Sequence, residues 1–77
     1  MNQQIAEALA ALYSEIFECN CKGMYNLKNY QYEFVSGGQY GEIKFSIDEV
    51  AIERLSIYRI LVIMRNRYNE KYWEMRY

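Results

Sequence analysis

The residues of this 77-residue chain that could do chemistry are few, and their types exclude most reactions. Two thiols, Cys19 and Cys21, stand two positions apart, and the sequence contains no histidine. A structural zinc site takes four ligands from Cys, His or carboxylate, so two thiols without an imidazole predict no metal. Residues i and i+2 near a helix end point to different faces, where an internal disulfide would be strained. One cysteine is therefore read as a small buried hydrophobe and the other as a partly exposed thiol. Without histidine there is no Ser–His or Cys–His nucleophile pair, and the commonest acid/base at neutral pH is missing. The only aspartate is Asp48. Gly37-Gly38-Gln39-Tyr40-Gly41 is glycine-rich, but no Lys-Ser/Thr and no helix start follow closely, so it reads as a turn rather than a phosphate cradle. No catalytic residue and no cofactor are expected, and the chain is not read as an enzyme.

Residues suited to binding are more plentiful. Positions 54–77 carry Arg54, Arg59, Arg65, Arg67, Lys71 and Arg76 against Glu70 and Glu74, with Tyr68, Tyr72, Trp73 and Tyr77 interleaved. Tyr, Trp, Met and Arg are enriched at protein interfaces. Arg65, Arg67, Tyr68, Tyr72, Trp73, Arg76 and Tyr77 are therefore the expected partner-binding residues. Cations beside stacking aromatics also suit RNA or single-stranded DNA. Against that, the arginines are spread around the helix, and the whole chain has a formal charge of −1, without the basic field of a nucleic-acid binder.

These side chains need elements to hold them. Ile5, Ala8, Leu9, Leu12, Tyr13, Ile16 and Phe17 recur at helical spacing and predict a helix over about 2–20, with Asn2 as N-cap and Lys22-Gly23 as the stop. Residues 24–29 read as either a short strand or a loop, three nearby asparagines favouring loop. The alternation Tyr30-Gln31-Tyr32-Glu33-Phe34 and the run from Tyr40 to Phe45 predict a hairpin over about 30–45 with its turn at Gly37-Gly38. In that register Tyr30 faces Phe45, Tyr32 faces Ile43 and Phe34 faces Gly41. The mixed face pairs Gln31 with Lys44, Glu33 with Glu42 and Val35 with Tyr40. Ser46 and Glu49 form a capping box, flanked by a Phe45–Val50 staple, and open a second helix over about 47–76. The fold expected is α+β: helix, β-hairpin, long helix, with the hairpin's aromatic face on both helices.

A 30-residue helix is about 45 Å long, whereas a compact domain of this size is about 30 Å across. The overhang would expose the C-terminal aromatics. It predicts a helix break near Asn66 or Asn69, packing against a second copy, or a grip on another partner. A small domain with open strand edges favours a homodimer. Ile52, Ile60 and Ile63, on the polar side of the long helix, are its expected self-association residues. No apolar run, that of Ile60 to Met64 included, approaches the ~20 residues of a membrane span. With no signal peptide evident and reduced thiols, a cytoplasmic setting and no membrane partner are expected.

The function expected is a protein-binding module; a purely structural subunit of a homo-oligomer is a further reading. Very small, histidine-free, hairpin-bearing α+β chains with exposed aromatics resemble the accessory and inhibitor proteins of phages and mobile elements, such as anti-CRISPR and anti-restriction proteins. The resemblance is one of size and composition and carries no residue across. It implies an inhibitor or adaptor that blocks a surface of a host protein complex.

Overall fold

The computed structural model describes residues 1–38 and 41–76, with side-chain surroundings for 1–37 and 41–75. The elements are α1 (Asn2–Ile16), β1 (Cys21–Asn26), β2 (Gln31–Gly38), β3 (Gly41–Asp48), α2 (Glu49–Arg54) and α3 (Ile57–Arg76). The three strands form one antiparallel sheet in the order β1-β2-β3. One face carries Tyr32, Phe34, Ile43, Phe45 and Ile47, all buried beneath α1 and α3. The α+β order and the packing of the aromatic face on the helices are as the sequence implies.

The hairpin register is not. Tyr32 pairs with Ile47, Phe34 with Phe45, Ser36 with Ile43 and Gly38 with Gly41. The expected Gly37-Gly38 turn is thus part of β2, and the connecting residues Gln39 and Tyr40 lie outside the described residues. The displacement is even, so the side chains that remain in the two strands keep their faces. It is favoured because Ile47 joins the ladder and Phe34 stacks on Phe45, with ring centroids 5.5 Å apart. The poor Glu33–Glu42 pair disappears: Glu33 lies opposite Ser46 and accepts a hydrogen bond from Asn26 at 3.1 Å. Tyr30 leaves the apolar face. It sits in the turn before β2 with φ of +56° and is 62% exposed. Asn26 starts that turn by accepting the Lys28 amide.

The α1 helix ends early, with Glu18 in the left-handed region at φ of +51°. Lys22 and Gly23 are not a helix stop but belong to β1, so the open segment does add a third strand, beginning at Cys21. Gly23 is needed there because α1 crosses it closely. A Cβ at that position would overlap the Ala6 carbonyl and come within 3.2 Å of the Ala10 Cβ. Asn2 is not the N-cap; Met1 is. The Asn2 side chain instead accepts the Tyr32 hydroxyl and donates to Glu49.

The expected long helix is two helices. Ser46 lies in β3, so there is no capping box, and Asp48 is the N-cap of α2 without a side-chain bond. The staple is also absent, because Phe45 is buried while Val50 is 56% exposed. The break falls at Leu55, whose backbone is extended (φ −99°, ψ 156°). Ser56 opens α3 by accepting the Arg59 amide at 3.3 Å. The apolar stretch around Leu55 therefore belongs to two helices with differently directed faces. A 20-residue helix is about 30 Å long, which fits the 34 Å long axis of the molecule and removes the overhang. Among the described residues no helix is long and apolar enough to cross a membrane.

Candidate functional site: a groove on the open sheet face

With α1 and α3 packed on one side of the sheet, the other side is uncovered. There the rows Lys22–Val35–Lys44 and Met24–Glu33–Ser46 run across the strands, with the backbone of Gly23, Phe34 and Phe45 between them. A groove of about 770 Å³ lies over these rows. Its wall beyond β3 is a stripe of α3, Arg67, Glu70, Lys71 and Glu74, which shares one helix flank by i, i+3, i+4, i+7 spacing. Lys71 and Glu74 form an exposed ion pair at 3.6 Å.

The charge inventory is balanced. Lys22, Lys44, Arg67 and Lys71 face Glu33, Glu42, Glu70 and Glu74. Met24 and Val35 supply apolar area between them. Such a surface can accept backbone and side chains of either sign, but it has no excess of cations to neutralise phosphates.

The expected partner-binding residues divide. Arg67 lines the groove. Arg65 faces inward: its guanidinium donates to the Tyr13 hydroxyl at 3.2 Å and lies over the Phe17 and Tyr68 rings at 4.7 and 4.8 Å. Burial raises the Tyr13 pKa, and the Arg65 contact opposes that. Tyr68 and Tyr72 are half-buried against the core and stacked on each other at 6.3 Å. Trp73 is 49% exposed and meets Tyr72 edge-on at 5.9 Å. Arg76 closes α3, its side chain outside the described ones, and Tyr77 lies outside the described residues altogether. The self-association residues are not a surface patch. Ile52 and Ile60 are buried in the chain's own core and Ile63 packs against it, because the break before α3 turns that side inward.

Of the mixed hairpin face, Glu33, Val35, Glu42 and Lys44 line the groove. Gln31 instead donates to Asp48 at 3.0 Å, and Tyr40 lies outside the described residues. Sequence reasoning missed Lys22, Met24, Glu70, Lys71 and Glu74. The i, i+3, i+4, i+7 charge spacing in α3 was the available signal; the β1 pair had none while Lys22 read as part of a helix stop and residues 24–29 as a strand or a loop, the loop favoured.

The thiols are both free. Cys21 is buried, and desolvation followed by the nearby Cys19 pushes its pKa up to about 12. Cys19 accepts a hydrogen bond from the buried Ser36 hydroxyl at 3.6 Å. Among the described residues no three His, Cys, Asp or Glu side chains converge on a point that could hold a metal ion. Comparison with known proteins adds nothing to this geometry: no family model, no curated protein and no solved structure matches the chain.

Proposed function

We propose that this protein is a non-enzymatic protein-binding module that acts by occupying a surface of a partner protein, as an inhibitor or adaptor does. The observation that carries the reading is the groove. It is open, spans three strands and one helix, and alternates four cations with four anions around Met24 and Val35. A polypeptide matches that alternation, whereas a nucleic acid would leave the four carboxylates facing phosphates. Inward-facing Arg65 also removes one cation from the basic-aromatic surface that RNA or single-stranded DNA would use.

The test is selection of peptides from a displayed random library on the wild-type protein, followed by titration against Val35→Lys with Arg67→Glu. Selected peptides should bind the purified protein and lose affinity about tenfold or more on the variant. Equal affinity for both proteins refutes the groove as the site. Salt-sensitive binding of single-stranded RNA or DNA, lost in Arg67→Glu with Lys71→Glu, would move the function to nucleic acid.

A further inference from the structure

The two edges of this sheet are treated differently. At β1, the side chains of α1 take the place of a fourth strand. Gln3 donates to the Gly23 carbonyl at 3.3 Å and accepts the Tyr25 amide at 3.0 Å, and the Ser14 hydroxyl accepts the Cys21 amide at 2.8 Å. The outward-facing amides of Cys21 and Tyr25 and the Gly23 carbonyl are thereby engaged, which hinders strand addition.

Those contacts also fix the alternation across the sheet. Cys21, Gly23 and Tyr25 face away from β2, so Lys22, Met24 and Asn26 bond to Val35, Glu33 and Gln31. Tyr32, Phe34 and Ser36 then bond to Ile47, Phe45 and Ile43. The outward backbone groups of β3 are those of Glu42, Lys44 and Ser46. Among the described residues none of them has a hydrogen-bond partner within the chain. The groove lies along this same edge, between Glu42, Lys44 and Ser46 and the α3 stripe.

Going beyond the groove as a binding site, we infer that the β3 edge is a self-association surface. A second copy of the chain adds its own β3 antiparallel about a two-fold axis at Ile43, which extends the sheet to twice its three strands. The occupant follows from charge. An antiparallel strand beside β3 must place an acid opposite Lys44 and, two residues later, a base opposite Glu42. Glu42-Ile43-Lys44 is itself that pattern. With the axis at Ile43, Glu42 meets the partner's Lys44 and Lys44 meets the partner's Glu42, both pairs on the open face. Neighbouring symmetric registers fail. An axis at Glu42 opposes two glutamates, an axis at Lys44 opposes two lysines, and an axis at Phe45 sets Glu42 against an aspartate, Asp48.

The experiment is a charge swap read by sedimentation equilibrium. Glu42 and Lys44 are exposed, lie opposite Gly37 and Val35 within the chain, and have no ion-pair partner among the described residues, so their reversal leaves the fold intact. The wild type should be a dimer. Glu42→Lys and Lys44→Glu should each weaken it about tenfold or more, because both cross-strand pairs become like-charged. The double variant restores opposite charges and should return to within about threefold of wild type. In the wild type the Glu42 and Lys44 amides should exchange hydrogen slowly, and faster in each single variant. A wild-type monomer at every concentration, or a dimer indifferent to both single reversals, overturns the inference. A wild-type monomer leaves the groove open to a peptide, whereas a dimer through β3 would compete with a peptide for Glu42 and Lys44.

Discussion

Replacing Gly23 with alanine tests the closest contact in the fold. The added methyl would overlap the Ala6 carbonyl and lie 2.8 Å from its carbon. The obstacle is backbone, which cannot rotate aside as a side chain can, so α1 must lift from β1. Overpacking of this kind costs about 1–3 kcal/mol. Lifting α1 also loosens the Gln3 and Ser14 bonds to β1, each worth about 0.5–1.5 kcal/mol. A loss of about 3 kcal/mol is expected, out of roughly 4–12 kcal/mol for a chain of this size. At about 4–8 °C per kcal/mol, thermal unfolding should fall by about 12–24 °C. The assay is calorimetry or circular dichroism of Gly23→Ala beside Gly37→Ala. At Gly37 the nearest atom to an added Cβ is the Asn20 carbonyl oxygen at 3.9 Å, an ordinary contact. That control should be unchanged or slightly more stable. If the two variants melt within about 2 °C of each other, well inside the shift expected for a single kcal/mol, α1 does not cross β1 as described.

Two further outcomes follow from buried polar groups. Arg65→Met should destabilise the protein by about 1–3 kcal/mol, because it strands the Tyr13 hydroxyl and removes a cation from two ring faces; urea unfolding that matches wild type would show Arg65 to be a solvent-exposed binding residue after all. Stability should also fall in alkali: the folded Cys21 pKa lies above its ordinary 9.0, at about 12, so the contribution is complete below pH 9 and is lost as pH rises toward 12. Chemical denaturation of wild type and Cys21→Ala across that range checks this, and a loss of equal slope in both proteins would assign it to other groups, such as Tyr13, whose pKa is also raised.

The hairpin explains how a sequence can show which face a residue takes without showing its partner. Side chains alternate with period two, so Tyr32, Phe34, Ile43 and Phe45 stay together through any even slip. Local turn chemistry favoured Gly37-Gly38. The deciding term was remote from the turn, since Ile47 could be buried in the ladder only if the strands ran on to Gly38 and Gly41. The long helix failed for a related reason. Apolar residues all around Leu55 to Met64 suit one helix buried on every side or two helices that change direction, and no glycine or proline marks the change. Ser56 was the sign available, as an N-cap residue one turn before a new apolar stripe.

The candidate site was legible only where it depended on alternation or helical spacing. Glu33, Val35, Glu42 and Lys44 follow from strand period, and Arg67 from the basic run. Lys22 and Met24 required knowing that β1 exists, and that strand is made possible by contacts distant in sequence: Gln3 and Ser14 bond to its edge and Gly23 admits the Ala6 backbone. A six-residue strand with one glycine and one asparagine has little strand propensity of its own. Its stability therefore depends on the docking of α1, and the groove wall at Lys22 and Met24 depends on a helix that itself lines none of the groove. The same argument separates the two edges. The β1 edge is closed by residues that the folding of α1 must bring there, whereas the β3 edge carries a charge pattern complementary to itself.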